Sequence, residues 1–226
     1  MSDALRREYH GEGLTESELA ATASEQARRW LDDAVYRSVE RDDVPEPLAM
    51  SVATIDASGR PDVRTVLLRF LDQQGPGFVS NLQSAKGVQI AANPAVAAAI
   101  VWPAMYRAIR FRGVARQLGR DEVGRYFRER PWGSRIGAWA SRQSQVIQGR
   151  SGLEEAYQQY AAQWPDLGGP DDVPVPGFWG GWRITCDEVE FWAGRANRLH
   201  DRLVFVRVGG GGLDDASAWR VERRQP

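Results

Sequence analysis

The chain changes texture several times along its length. Residues 1–13 are polar and read as a mobile arm. Thr15 and Glu18 have capping-box spacing, and Ala23, Ala27, Trp30, Leu31, Ala34 and Val35 then recur at helical period. Together they predict a helix over about 15–38, closed by Pro45 and Pro47. From Leu48 the pattern turns to β. The segments LAMSVATID (48–56), DVRTVLLRFLD (62–72), FVSN (78–81), AVAAAIVW (95–102) and RAIRFRGVARQL (107–118) predict five strands. Turns at ASGR and QQGPG join the first three, and Ser84 caps a short helix, AKGVQIAAN, before the fourth. Helical spacing returns at 121–130, at about 134–145 and at 151–163. A Pro- and Gly-rich ordered loop follows at 164–181. WRITCDEVEFWAG and HDRLVFVRV are strands separated by a GRANR turn. GGGGLDD is a hairpin tip, and AWRVERRQP is a last strand. Short strands with tight turns point to an antiparallel β-barrel with peripheral helices rather than βαβ units. No repeat or linker divides the chain, so residues 1–226 read as one α+β, mainly β, domain.

Composition narrows the function classes. The chain carries 29 basic and 30 acidic residues, and this near-neutral balance argues against a general nucleic-acid binder. One cysteine, Cys186, and two histidines, His10 and His200, leave no disulfide framework and no multi-cysteine or His-rich metal centre. No apolar run is long enough to span a membrane, and the N-terminus has no secretory core, which makes the cytoplasm the expected compartment. Arginine occurs 28 times and lysine once, so Lys86 is the one ammonium side chain.

Four constellations have chemical potential, each with a plain structural alternative. Ser84 and Lys86 at a helix start, with Arg64 on a neighbouring strand, would suit a phosphate, or form an ordinary cap beside a solvated lysine. Tyr126 and Arg130 share a helix face, and Ser134 is placed to cap the next helix; the three would suit a second phosphate, or be a surface arginine and a cap. Arg198, His200 and Arg202 point to one face of an extended strand, where two cations flanking an imidazole favour an anion, or belong to a plain salt-bridged strand; Asp201 points away and reads as structural. The aromatic runs FWGGW (178–182) and EFW (190–192) line a flat ligand or fill the core. Two phosphate sites, flat aromatic walls and no metal fit a flavin mononucleotide bound together with a phosphorylated heterocycle. No GxGxxG fingerprint and no GxSxG elbow is present.

These segments, with LRREY (5–9), EPLAMSVATID, RTVLLR, SNLQSAKGVQI, YFRERPWGSRIGAWASRQS, FWGGWR and VEFWAGRANRLHDR, resemble the pyridoxamine/pyridoxine 5'-phosphate oxidases over nearly the whole chain. The resemblance implies a split-barrel homodimer with flavin mononucleotide (FMN) in the subunit interface. It implies that Arg64 and Lys86 hold the flavin phosphate and that Arg64, Thr65, Val66 and Leu67 run alongside the cofactor. Ser80, Gln143, Ser144, Trp192 and Arg202 are the remaining implied flavin contacts. Tyr126, Arg130 and Ser134, with Arg69, would bind the substrate phosphate. Arg198, Leu199 and His200 would lie over the pyridine ring, with Arg198 and His200 as the catalytic pair. Arg6 and Tyr9 resemble an N-terminal lid. The implied reaction oxidises the 4'-carbon of pyridoxamine or pyridoxine 5'-phosphate with dioxygen, giving pyridoxal 5'-phosphate and hydrogen peroxide.

The chain departs from the family pattern at several positions. Arg69 stands where a lysine is usual, and a planar fork replaces a point charge. On an unbroken strand Arg64 and Arg69 would face opposite ways. Val79 replaces a common tyrosine, Ala85 a frequent arginine, and Ala108 a glutamine that bonds the flavin. One such lost bond costs about 0.5–1.5 kcal/mol. Alternative readings are a same-fold flavin oxidase of a phenazine-type precursor, a non-catalytic pyridoxal-phosphate or flavin-binding homologue, and a deazaflavin-using reductase.

Overall fold

A computed structural model describes residues 8–226; Arg6 lies outside the described residues. Helix α1 (Ala23–Glu40) begins later than its sequence suggests. Thr15 and Glu18 do bond each other, at 2.9 Å from the Thr15 N–H and 2.7 Å from its hydroxyl, but they close an isolated turn. Thr22 is the true N-cap and accepts from Glu25 N–H at 3.2 Å. The apolar stripe of α1 packs as expected, with Ala23, Ala27, Trp30, Leu31 and Ala34 buried, whereas Val35 is exposed.

Among the described residues nine strands form one antiparallel sheet. β1 (Ala49–Ile55) pairs with β2 (Pro61–Leu67) and with β5 (Ala95–Trp102); β5 pairs with β6 (Arg107–Gln117). β6 runs the length of β7 (Trp179–Ala193), with a bulge at Arg112/Gly113. The first part of β7 pairs with β4 (Gly75–Asn81), which also carries β3 (Phe70–Asp72). The last part of β7 pairs with β8 (Asp201–Arg207), and β8 carries β9 (Trp219–Arg223). The sheet therefore splits about β7. β7 begins at Trp179, inside the stretch expected to be loop.

The expected strand over 62–72 is broken. Leu68 N–H still bonds Leu48 O at 2.9 Å, but Arg69 N–H bonds Gly77 O at 2.8 Å, so the chain changes partner between these two residues. Leu68 is buried at the crossover. This break removes the alternation that would have turned Arg64 and Arg69 to opposite faces.

The main core lies between α1 and the concave sheet, where Trp30 meets Phe191 edge to face at 5.4 Å. Each large side chain buried there stabilises the fold by about 1.5–3 kcal/mol. A second core forms around Phe127, Ile136 and Trp179, between α3 (Arg120–Glu129), α4 (Trp132–Ala140) and the start of β7. α5 (Arg150–Gln163) covers α4. α4 stops at Ala140, not near 145, and its N-cap is Pro131. Ser134 is therefore not a cap but an exposed residue within the first turn. Arg183 on β7 joins the two regions: it bonds Asp72 at 2.6 Å and Glu122 at 2.7 Å and stacks over Phe70 at 4.8 Å.

Candidate active site

A cleft of about 510 Å³ opens where β2, β4, the start of α2 (Ala85–Ala92), the end of α3 and residues 143–144 converge. Arg64, Thr65, Val66, Leu67, Arg69, Ser80, Lys86, Tyr126, Arg130, Gln143 and Ser144 all line it, as do Val79 and Ala85. The sequence thus places most of its candidate residues around one cavity.

The lysine end is built by α2. Ser84 caps the helix through Gly87 N–H at 3.3 Å and donates its hydroxyl to Asn81 O at 2.7 Å. A side chain at Gly87 would stand 2.2 Å from Leu82 O, so glycine permits this close first turn. Lys86 is buried, and its Nζ donates to Gln143 Oε1 at 2.6 Å, Ser80 Oγ at 3.0 Å and Ser84 Oγ at 3.2 Å. All three acceptors are neutral, and Lys86 makes no ion pair among the described residues. Burial, and secondarily the Arg64 charge, push its pKa from 10.5 down to about 8. A buried cation with neutral partners at a helix N-terminus favours an anion.

Arg64 is held by the protein itself. Its Nη1 donates to Val52 O at 2.9 Å and Thr54 Oγ1 at 2.7 Å; its Nη2 donates to Asp62 Oδ2 at 2.6 Å and Gln89 Oε1 at 3.0 Å. Gln89 Nε2 closes the ring by donating to Asp62 at 3.0 Å. The Gln89 bond, then Arg64, keep the Asp62 carboxyl below its usual range. Asp62 and Gln89 were missed as site residues, although Asp62 stands two residues before Arg64 on one strand face and so carried a period-two signal.

The arginine end is built by α3. The Arg130 guanidinium lies 4.5 Å over the Trp179 ring and 5.7 Å from Phe127, and its Nη1 is buried with no hydrogen-bond partner. Burial lowers its pKa; the neighbouring Arg69 charge adds to this and Tyr126 opposes it. Two guanidiniums with an unsatisfied buried donor define a second anion position. Trp179 is part of the second core and also lines the cleft.

Six candidates lie elsewhere in the chain. Ser134 does not line the cleft. Trp192, Arg198, Leu199, His200 and Arg202 gather where β7 turns into β8. The expected single extended face over Arg198, His200 and Arg202 does not form, because β8 begins only at Asp201. Asn197 and Arg198 have φ of 56° and 62°, left-handed values that are strained for arginine. Ser144, in the cleft, has φ 72°. Leu199 is exposed, and Arg202 is committed to Glu190 at 2.7 and 3.0 Å. His200 packs against Trp192 at 4.8 Å and Tyr9 at 5.3 Å. Its pKa is lowered by burial and then by Arg198. Ala108 pairs with Trp192 in the sheet and belongs to this second group.

A curled antiparallel sheet split about one long strand, with a cation-lined cleft on one flank, defines the split-barrel class. Residues 39–164 match the model of the pyridoxamine 5'-phosphate oxidase family, and residues 179–226 match the C-terminal dimerisation region of pyridoxine 5'-phosphate oxidase. The chain belongs to the pyridoxamine 5'-phosphate oxidase family. It is 47% identical to a pyridoxine/pyridoxamine 5'-phosphate oxidase of Streptomyces avermitilis over 99% of this chain and 95% of that one. It is 40% identical to the Cupriavidus taiwanensis protein of the same name, over 98% and 97%. Among solved structures, PhzG from Burkholderia lata 383, in complex with tetrahydrophenazine-1-carboxylic acid, superposes with a TM-score of 0.81 at 25% identity, covering 96% of this chain and 100% of that one. Among the described residues no helix is long and apolar enough to cross a membrane, and no group of metal-ligating side chains is present.

Proposed function

We propose that this protein is an FMN-dependent oxidase that converts pyridoxamine or pyridoxine 5'-phosphate to pyridoxal 5'-phosphate, consuming dioxygen and releasing hydrogen peroxide. The observation that carries this reading is the pair of anion positions in one cleft, Lys86 at one end and Arg130 at the other. A flavin phosphate and a substrate phosphate are the two anions this reaction brings together.

The residues present fit the cofactor. Lys86 offers an uncompensated buried charge, and α2 offers its N-terminus. Arg64 contributes positive charge, with Nε–H as its one guanidine donor not bonded to protein among the described residues. Thr65–Leu67, Ser80, Gln143 and Ser144 form the wall alongside. When bound, the flavin supplies the two-electron acceptor that dioxygen restores. Arg130, Tyr126 and Arg69 would hold the substrate phosphate and fix the pyridine ring in the cleft.

Trp192, Arg198, Leu199, His200 and Arg202 all fall in the segment matching the dimerisation region. In this reading the protein is a homodimer, and the partner's copy of this segment completes the interfacial site. Arg198 orients the substrate and stabilises charge as the 4'-carbon loses its hydride; His200 bonds the ring oxygen. With the amine substrate the product is an imine, which water hydrolyses to the aldehyde and ammonia; the alcohol substrate gives the aldehyde directly. Ser134 remains the weakest substrate candidate. The reading also places the protein in the cytoplasm, where the buried free thiol of Cys186 stays reduced.

The phosphate dependence tests the reading. On flavin-loaded protein, kcat/KM should strongly favour pyridoxamine 5'-phosphate over pyridoxamine, and Arg130→Met should shrink that preference by about 10- to 150-fold, the value of one charge-assisted bond of about 1.5–3 kcal/mol. Equal turnover of both substrates, or faster turnover of a phenazine-type acid, would overturn it in favour of the alternative that the PhzG likeness suggests.

A further inference from the structure

The loop bearing Arg198 and His200 is pinned by one carboxylate. Asp201 is buried, and two distant parts of the chain and a residue of its own turn donate to it. Its Oδ2 accepts Leu14 N–H at 3.0 Å and Arg195 Nε at 2.9 Å; its Oδ1 accepts Arg223 Nη1 at 2.6 Å. Gly13, at φ +82°, packs so closely that a side chain there would stand 2.6 Å from both Arg195 Nε and Asp201 Oδ2. The expected mobile arm is thus fastened to this loop at Gly13 and Leu14.

Arg195 passes the constraint on. While its side chain is held by Asp201, its backbone N–H donates to His200 Nδ1 at 3.1 Å. A nitrogen that accepts a hydrogen bond carries no proton, so the neutral ring must carry its proton on Nε2. Trp192 and Tyr9 pack against the ring.

We propose that Asp201 and Arg195 are positioning residues that fix His200 as its Nε2–H tautomer, so that His200 meets its ligand as a hydrogen-bond donor to an acceptor oxygen and not as a base. The effect on turnover rests on the oxidase reading, but the tautomer belongs to the free protein. Its test therefore stands apart from that reading.

The chain has only two histidines, so ¹⁵N-labelled protein gives a spectrum of two imidazoles, and His10→Gln assigns them. The protein at pH 8, flavin-free as well as flavin-loaded, should show His200 protonated on Nε2 alone. Asp201→Asn and Arg195→Ala should each give a mixture of tautomers, with kcat/KM down about tenfold and flavin affinity unchanged. Arg195→Ala leaves the Leu14 and Arg223 bonds to Asp201 in place, so it decides the matter should Asp201→Asn fail to fold. A wild-type His200 protonated on Nδ1, or an unchanged tautomer in folded Arg195→Ala, overturns the proposal. Loss of the single tautomer in a protein that oxidises no pyridoxine-type phosphate would uphold the clamp and reject the oxidase reading.

Discussion

Replacing Lys86 with methionine should move stability and flavin affinity in opposite directions. The ammonium is buried against three neutral oxygens, and its pKa has fallen from 10.5 to about 8. That fall corresponds to ~3 kcal/mol of preference for the neutral amine in the folded protein. A lysine whose folded pKa lies below its unfolded one weakens the flavin-free protein in full at pH values under 8, and the penalty fades between about pH 8 and 10.5. Methionine fills similar space without the charge. Gln143 Oε1 keeps its bond from Ser80 at 2.9 Å, and Ser84 keeps its bonds to Asn81 and Gly87, so the substitution strands no acceptor. At pH 7 the flavin-free Lys86→Met protein should be as stable as wild type or more so, by up to ~3 kcal/mol. Its affinity for FMN should fall about 10- to 150-fold, the loss of a charge-assisted bond to phosphate. Urea unfolding of the flavin-free proteins at pH 7 and 9.5 measures the first effect, and quenching of flavin fluorescence the second. A clear loss of stability with unchanged flavin affinity would instead make Lys86 a structural tie and not a phosphate ligand.

Other substitutions probe the surrounding framework. Arg183→Met should cost about 1–3 kcal/mol in urea unfolding, less than a fully buried pair, because the side chains of Asp72 and Glu122 are 39% and 29% exposed and water replaces part of the contact. Gly13→Ala should lower the melting temperature, since φ +82° and the Asp201 carboxylate both reject a side chain. Glu190 is held below the usual carboxyl range although burial alone would raise it, because Arg202 and Arg110 outweigh burial. Its contribution is therefore present at neutral pH and lost as pH falls below about 4, and Glu190→Gln should flatten acid unfolding there. Gln89→Leu should loosen Arg64 and weaken flavin binding several-fold in the same fluorescence titration, without changing the fold seen by circular dichroism.

Local chemistry made much of this legible. The Ser84 cap, the Lys86 position and the strands at 95–102 and 107–118 follow from short-range rules, and the structure keeps them within a residue. The break at Leu68–Arg69 was not legible, because a change of strand partner depends on Leu48 and Gly77, far along the chain. Thr15 and Glu18 form their paired bonds, yet the helix starts at Thr22, since the same contacts serve a free turn. Arg198 to Arg202 looked extended because nothing local marks two left-handed residues; Asn197 alone hinted at them. Asp201 was read as pointing away from that face, but the face does not form, and its partners at Leu14 and Arg223 lie 187 and 22 residues distant.

Protein reconstituted with FMN and mixed with pyridoxamine 5'-phosphate in air gives the decisive test of the oxidase assignment. Pyridoxal 5'-phosphate and hydrogen peroxide should form in equal amounts, with turnover lost in Arg198→Ala while the flavin stays bound. Full flavin occupancy without aldehyde, or no flavin binding at all, would contradict it.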